Sequence, residues 1–247
     1  MIFARMIISM PVSSSLFGRL GRYGTEAEIL TLGMLCGFPV GAKSAVFLYQ
    51  NGSISKKRAE FICAFTNNAS ITFLLSYTGI MLFSDIRIGI RLALFQLVSS
   101  LVTAAVLRGV FMGKEDFIVK NNIVAKNKTN LTEAVTDSAY TMLSICAFII
   151  TFMVLGELAL SITSAEGFWG VIMKGLFEFS SGCASAATLE PDIAFVAISI
   201  IVGFSGLCVI MQVLSVIRGI LSARMYILGR LINTVVFGIC MLLFGIT

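Results

Sequence analysis

The 247-residue chain is 57% hydrophobic and only 13% charged, with a net charge of +5 and no histidine. A soluble domain carries about 25% charged residues, so this composition, with a mean hydropathy of +0.97, indicates an integral membrane protein. The absence of histidine excludes Ser-His catalysis and histidine metal sites. No basic stripe with interleaved aromatic residues indicates binding to nucleic acid.

Apolar segments of membrane-spanning character follow one another along the chain. A partial segment at 1–17, without a clear signal-peptide cleavage site, precedes segments at 29–50, 61–83 and 86–111. Further segments lie at 137–163, 166–190, 192–217 and 224–246. The polar stretch 112–134, which we expect to be a cytoplasmic linker, divides the chain into two membrane repeats, 1–111 and 135–247. All six cysteines fall in apolar segments, so no disulfide framework or CxxC metal pair is expected.

Two segments in each half are interrupted by polar or helix-breaking residues. The interruptions are GFPVGAK at 37–43, FTNNAS at 65–70, EFSSGCAS at 178–185 and GFSG at 203–206. Breaks at matching places in two halves are typical of the internal repeats of transporters. The alternative is that glycine and serine only ease the packing of membrane helices.

The basic loops favour a particular topology. They lie at 18–28, 51–60, 112–134 and 218–224. If every segment crossed the membrane, these loops would fall on both faces, against the positive-inside rule. If 29–50 and 166–190 are re-entrant hairpins, all four fall on one face. We therefore predict an all-α polytopic membrane protein: an inverted repeat with two re-entrant helical hairpins and interrupted transmembrane helices, whose hairpin tips meet at one central site.

The first hairpin tip has the residues of an anion site. Pro39 suits a turn, and Gly37 and Gly41 permit tight backbone. The helix that starts near Val40 would direct its free N–H groups toward the membrane centre, where they favour an anion. Lys43 lies one turn further, at a depth where a lysine costs roughly 2.5–3.5 kcal/mol. Contact with substrate and pairing with a carboxylate such as Glu178 are both open.

The other breaks supply further candidates. Asn67 and Asn68 offer amide donors and acceptors to a ligand, or else form hydrogen bonds between helices. Glu178 begins the second tip and could couple transport to H⁺ or Na⁺ if it is buried; the alternative is an ordinary residue near the surface. The predicted substrate-binding set also includes Ser70, Ser181, Gly182, Gly203, Ser205 and Gly206.

Enzymatic activity is not expected. The GFSG stretch matches the GxSG pattern of rhomboid intramembrane proteases, but those enzymes need a histidine partner. A Ser205–Lys43 dyad is the remaining catalytic option, and no paired carboxylates share a helix face. We expect no catalytic residue, no metal site and no cofactor.

Four pieces of the sequence, GFPVGAK at 37–43, FTNNAS at 65–70, GLFEFSSG at 175–182 and GFSGLCVIMQ at 203–212, resemble the YlbJ (SpoVV) family of sporulation integral membrane proteins. That family belongs to the wider group with the "nucleoside recognition" Gate domain. Two departures stand out. Family members have more membrane segments before the region that opens this chain, and many have a proline soon after the asparagine motif, where Ser70-Ile71 stands here.

The resemblance implies export of dipicolinic acid, a small aromatic dianion, from the mother cell toward the forespore. The expected location is then a bacterial cell membrane, the outer forespore membrane. Our hypothesis is a transporter of a small organic anion that works by alternating access. The alternatives are a transporter of nucleoside-like solutes and a non-transporting scaffold of a sporulation complex. The candidate partners are the solute, the lipid bilayer, and either a second copy of the chain or missing N-terminal helices.

Overall fold

The computed structural model describes residues 17–117 and 131–244. These residues form ten α-helices, one π-helix and two short 3₁₀ helices, and none of them is in a β-strand. The α-helices are α1 (Gly24–Cys36), α2 (Val40–Gln50), α3 (Lys56–Thr66), α4 (Ile86–Phe111), α5 (Leu131–Thr163), α6 (Gly167–Phe177), α7 (Phe179–Ala186), α8 (Pro191–Phe204), α9 (Gly206–Ile217) and α10 (Arg224–Phe244). The π-helix is Phe73–Leu82, and the 3₁₀ helices are Gly18–Tyr23 and Lys114–Phe117. Nearly all of the partial segment at 1–17 and most of the predicted linker lie outside the described residues.

Four stretches are long and apolar enough to cross a membrane, namely Ile86–Phe111, Val135–Thr163, Pro191–Ile217 and Arg224–Phe244. A helix needs about 20 apolar residues to cross the hydrocarbon core, and each of these has at least that length. The Val135–Thr163 stretch is almost entirely exposed, whereas Pro191–Ile217 is mostly buried. The prediction of an all-α polytopic membrane protein is therefore confirmed, with α5 on the outside and α8–α9 in the interior.

Two helical hairpins occupy the regions predicted at 29–50 and 166–190. In the first, α1 and α2 have 13 and 11 residues and meet at a turn over Gly37–Pro39. In the second, α6 and α7 have 11 and 8 residues and meet at Glu178. At about 1.5 Å per residue, each arm is much shorter than a hydrocarbon core of about 30 Å. The first hairpin begins earlier than predicted, at Gly24, and α2 begins at Val40 as expected.

The two interrupted segments are broken where the sequence indicated. Helix α3 ends at Thr66, and the chain becomes extended from Asn67 before it continues into the π-helix. Helices α8 and α9 are separated by a joint at Ser205 and Gly206, where φ is 72° and 76°. Both values lie in the left-handed region, which a regular α-helix cannot contain. The joint therefore bends one long apolar segment without a loop.

The π-helix packs closely on α4 through two glycines. A Cβ on Gly89 would lie 2.5 Å from the Leu74 carbonyl oxygen, and one on Gly79 would lie 3.0 Å from the Gly89 Cα. Membrane helices approach closely through such small residues because lipid provides no hydrophobic force between them.

The described parts of the four basic loops lie together at one end of the molecule. Arg58 donates a hydrogen bond to the Arg22 carbonyl, Lys57 pairs with Asp116 at 2.7 Å, and the Ser222 N–H donates to Glu60. These three contacts join loops 18–28, 112–134 and 218–224 to loop 51–60. This is the arrangement that re-entrant hairpins predict and that complete crossings would not produce.

The apolar core consists of two clusters, one toward each end of the molecule. The cluster at the basic end includes Ile54, Phe117 and Leu221 from three of the basic loops. Phe83, Phe168 and Leu189 pack against the other cluster, and they lie close in sequence to Asp85, Glu166 and Glu190 in the loops at the opposite end. The hairpin tips and the helix breaks lie between these two clusters.

Candidate functional site

The tip of the first hairpin rests directly on the break that follows α3. A Cβ on Gly41 would lie 2.5 Å from the Thr66 Oγ1 and 2.6 Å from the Thr66 carbonyl oxygen. Gly37, with φ of 76°, packs against Ser70 at the other end of the break. The Ala42 N–H, at the start of α2, donates to the Asn67 Oδ1 at 2.9 Å. The motifs GFPVGAK and FTNNAS therefore form one interface.

Three buried amide side chains satisfy the backbone and side chains around this break. Asn67 donates to the Cys63 carbonyl at 2.7 Å, and Asn68 donates to the Phe65 carbonyl at 3.1 Å while accepting from Ser100. Gln96 on α4 accepts from the Ala69 N–H and donates to the Ala69 carbonyl. Asn67 thus bonds to α2 and Asn68 to α4, as in the alternative of hydrogen bonds between helices. A role in ligand binding stays a prediction for them.

The second hairpin tip is organised by Glu178, whose side chain is only 1% exposed. Its carboxylate caps α7: it accepts from the backbone N–H groups of Ser180 and Ser181, at 3.1 and 2.7 Å, and from the Ser180 hydroxyl at 2.7 Å. Of the two positions that the sequence left open, the buried one is observed. Ion coupling through Glu178 stays a prediction.

Glycines join the arms of the second hairpin to each other and to the joint between α8 and α9. A Cβ on Gly182 would lie 2.2 Å from the Gly175 Cα, and one on Gly206 would lie 3.0 Å from the Gly175 carbonyl oxygen. EFSSGCAS and GFSG therefore form a second tip-to-break interface, the counterpart of the first.

The two hairpin tips contact each other through aromatic rings. The ring of Phe38, beside Pro39, lies edge-on to that of Phe179 with centroids 5.7 Å apart. Phe179 also packs on Phe73 at the start of the π-helix, at 4.8 Å. The tips are thus neighbours, and both helix breaks lie beside them.

Lys43 lies in a cavity of about 250 Å³ between α2, α5 and α9. The lining residues are Pro39, Lys43, Tyr140, Thr141, Ser144, Ile145, Phe148, Gln212, Ser215 and Val216. The Lys43 Nζ donates a hydrogen bond to the Thr141 hydroxyl and forms an ion pair with Asp137 at 3.5 Å. The lysine side chain is 30% exposed and that of Asp137 is 46% exposed. One cation and several hydroxyl and amide groups therefore line a small, open cavity with apolar walls.

The predicted site residues are divided among four places. Pro39 and Lys43 line the cavity. The first tip-to-break interface includes Gly37, Gly41, Asn67 and Ser70, and the second includes Glu178, Ser181, Gly182 and Gly206. Gly203 and Ser205 face α10 instead, where Gly203 packs on Phe237 and Ser205 accepts a hydrogen bond from Arg230 at 2.7 Å.

Sequence reasoning did not single out Asp137, Thr141 or Arg230. Asp137, Thr141 and Ser144 recur at helical spacing in an apolar segment, a polar stripe that would have indicated the face of α5 that meets Lys43. Arg230 is an arginine inside a predicted membrane span, which is a functional signal by itself.

Asp116, which lies at the basic end of the molecule outside the membrane-spanning helices, has a shifted pKa. Hydrogen bonds from the Lys57 ammonium and from the Gly113 N–H hold the pKa of Asp116 below its usual range. The charged form of Asp116 is therefore favoured in the folded state, where it joins two basic loops.

The fold and this cavity define an all-α polytopic membrane protein with a cation-bearing cavity beside paired hairpin tips. Among curated proteins, the chain is similar to the "Sporulation integral membrane protein YlbJ" of Bacillus subtilis (strain 168), with 28% identity over an alignment that covers 81% of this chain and 57% of that protein. The chain thus spans little more than half the length of this relative. No family model and no solved structure matches it. The similarity confirms the resemblance to the YlbJ family that the four motifs indicated.

Proposed function

We propose that this protein transports a small organic anion across a bacterial membrane, and that dipicolinate during sporulation is its substrate. The observation that carries the proposal is the Lys43 cavity, where a lysine on a hairpin tip faces hydroxyl and amide groups of α5 and α9. Most binding sites for small molecules have this composition: a concave, largely apolar surface with a few convergent polar groups.

The ion pair of Lys43 with Asp137 is compatible with exchange for a ligand. The atoms are 3.5 Å apart and both side chains are partly exposed. Exposed pairs of this kind contribute about 0–1 kcal/mol, so a substrate carboxylate could replace Asp137 at little cost. Ser144 and Gln212 could then donate hydrogen bonds to further ligand oxygens, whereas the Thr141 hydroxyl donates to the Asp137 carbonyl.

Size and charge favour a single-ring dicarboxylate over a nucleoside. At about 250 Å³, the cavity is slightly below the usual range of about 300–1,000 Å³ for ligand sites. A nucleoside has both a base and a sugar ring, and it carries no charge that would engage Lys43. An aromatic dianion can form an ion pair with Lys43 and can also contact the ring of Phe148.

The positions of the hairpins support alternating access as the mechanism. Both tips and both helix breaks lie between the two core clusters, and the tips meet through Phe38 and Phe179. Repacking of this contact would move Lys43, which lies only five residues beyond Phe38, relative to α5. Glu178, at the other tip, would be the coupling residue if transport depends on H⁺ or Na⁺.

The curated relative's name supports the biological setting, because that protein is called a sporulation integral membrane protein. We therefore propose a place in the membrane of a sporulating bacterium, the outer forespore membrane.

Flux into liposomes tests the proposal. The purified chain is reconstituted with Tb³⁺ inside the vesicles, and entry of dipicolinate is followed by the luminescence of its terbium complex. We expect Lys43→Ala to abolish the signal. Lys174→Ala is the matched control, because Lys174 also pairs with a carboxylate, Glu157, and has a similar exposure of 28%, but does not line the cavity.

Equal flux in Lys43→Ala and the wild type would overturn the role of the cavity. If the folded wild type transports neither dipicolinate nor uridine, the scaffold alternative is favoured. Entry of uridine without dipicolinate would favour the nucleoside alternative.

A further inference from the structure

Arg230 on α10 is a buried cation with unsatisfied donors. Its side chain is 2% exposed, and Nη1 donates a hydrogen bond to the Ser205 hydroxyl at 2.7 Å. Among the described residues, the buried Nε and Nη2 have no hydrogen-bond partner. Within residues 17–117 and 131–244, no carboxylate forms an ion pair with it. A buried charge is normally paired, so this arrangement needs an explanation.

Arg58 shows what a satisfied buried arginine looks like in this protein. It is equally buried, but its Nε and Nη2 donate to the two carboxylate oxygens of Glu26 at 2.7 and 2.8 Å. The Nη2 also donates to the Arg22 carbonyl. The edge of the guanidinium that binds Glu26 in Arg58 is the same edge that lacks a partner in Arg230.

Other buried donors on the same face of α10 also lack partners. In the part of the chain that the structure describes, the Asn233 Nδ2 and the Tyr226 hydroxyl have no hydrogen-bond partner, and both residues are about 1% exposed. Tyr226, Arg230 and Asn233 are spaced four and three residues apart, so they lie on one face of the helix. Their unsatisfied groups can all donate, so the missing group must be an acceptor.

This face of α10 lies beside both helix breaks. Ser222 bonds to Glu60 and Gly229 packs on Ala64, so α3 and α10 run in the same direction and the break at Asn67 lies near the level of Asn233. From the other side, Ser205 at the α8–α9 joint contacts Arg230 directly. The unsatisfied donors are thus enclosed between the two irregular segments of the backbone.

We propose that Arg230, with Asn233 and Tyr226, binds one carboxylate group in an occluded site between the two helix breaks. The Nε–Nη2 edge fits a planar carboxylate with two parallel hydrogen bonds, which a spherical anion cannot form. This site is separate from the Lys43 cavity, whose lining contains none of these three residues. The Arg230 site rests on the proposed function in one respect: a transported carboxylate would reach Arg230 only if one of the two helix breaks moved.

Thermal unfolding of the purified full chain in detergent tests this site, with sodium acetate exchanged for sodium chloride at constant ionic strength. We expect acetate to raise the melting temperature of the wild type and of Lys43→Ala. In Arg230→Met we expect this increment to disappear. Arg230→Lys should weaken acetate binding by at least about tenfold, because an ammonium cannot make the bidentate contact.

The melting temperatures without acetate separate a binding role from a structural one. Removing an unpaired buried charge should leave Arg230→Met as stable as the wild type or more stable. Arg58→Met, the matched control, should melt well below the wild type because it leaves Glu26 buried without its partner.

A melting temperature of Arg230→Met that falls as far as that of Arg58→Met would overturn the proposal, as would an acetate increment that survives in Arg230→Met and Arg230→Lys. Equal stabilisation by chloride and acetate would overturn the assignment to a carboxylate. Absence of dipicolinate flux in the folded wild type would refute the proposed function instead, so the two failures are distinguishable.

Discussion

Gly41→Ala is expected to separate the first hairpin tip from the break after α3. The added Cβ would lie 2.5 Å from the Thr66 Oγ1 and 2.6 Å from the Thr66 carbonyl oxygen, whereas ordinary contact begins at 3.4 Å. The hydroxyl can rotate away, but the carbonyl belongs to the backbone. The hairpin must therefore retreat by about 0.8 Å, and overpacking of this kind costs about 1–3 kcal/mol.

A second loss and a small gain accompany this clash. The hydrogen bond from the Ala42 N–H to Asn67, now 2.9 Å, would lengthen or break, at a cost of about 0.5–1.5 kcal/mol. Alanine is favoured over glycine in a helix by up to about 1 kcal/mol. We expect a net destabilisation of about 1–3 kcal/mol, which lowers the melting temperature by about 2–4 °C per kcal/mol in a chain of this size.

Gly238→Ala is the matched control, because no atom of the described residues that could obstruct the added Cβ lies within 4 Å of it. The same chemical change should there be neutral or stabilising. The melting temperatures of both variants are measured in one detergent, with dipicolinate flux measured in parallel. If the tip rests on Thr66, the melting temperature should fall in Gly41→Ala and should stay the same or rise in Gly238→Ala. Equal stability of Gly41→Ala and Gly238→Ala, with flux retained in both, would refute this reasoning.

Three further predictions concern the polar groups around the site. Asn67→Asp keeps the acceptor for Ala42 but places a carboxylate oxygen against the Cys63 carbonyl, so unfolding experiments should show a loss of about 1–3 kcal/mol; no loss would contradict the observed bond. Glu178→Ala removes three hydrogen bonds at the start of α7 and should cost about 0.5–2 kcal/mol of stability. Glu178→Gln keeps an acceptor, so it should cost less stability, but it should abolish any dependence of flux on a pH gradient. A pH-gradient dependence that remains in Glu178→Gln would exclude Glu178 as the coupling group. Lys57 lowers the pKa of Asp116 in the folded state, so the ionised Asp116 stabilises the protein above the unfolded pKa of about 3.9, and this stabilisation is lost as the pH falls through the lower folded pKa. Asp116→Asn should therefore reduce the loss of stability in acid. An unchanged dependence of stability on pH would contradict this prediction.

The sequence predicted the helices and their breaks well, because the signals for them are local. Val40, Thr66 and Ser205 end or begin helices where proline, asparagine and glycine interrupt apolar runs. The prediction that 29–50 forms a hairpin depended on the positions of basic residues in the loops, and these positions are also given directly by the local sequence. Boundaries were less accurate: α1 begins at Gly24 and α5 at Leu131, because polar residues at helix ends do not differ from loop residues in composition.

The partners of the site residues could not be predicted in the same way. Lys43 contacts Asp137, which is 94 residues away in the sequence, and Arg230 contacts Ser205, which is 25 residues away. Such pairs depend on which faces of the helices pack together, and an apolar helix in a membrane carries little pattern that fixes its rotation. The sequence placed Asn67 and Glu178 at breaks in apolar segments, and only the structure shows that both accept hydrogen bonds from backbone N–H groups. Their predicted roles in ligand binding and ion coupling stay predictions.

Equilibrium binding of labelled dipicolinate to the purified protein tests the Lys43 cavity most directly, because binding requires the cavity but not the movements of transport. We expect saturable binding by the wild type and by Lys174→Ala, no competition by uridine, and an affinity at least about tenfold lower in Lys43→Ala, since a charge-assisted hydrogen bond contributes about 1.5–3 kcal/mol. Unchanged affinity in Lys43→Ala, or displacement of dipicolinate by uridine, would contradict the assignment of this cavity to a small organic anion.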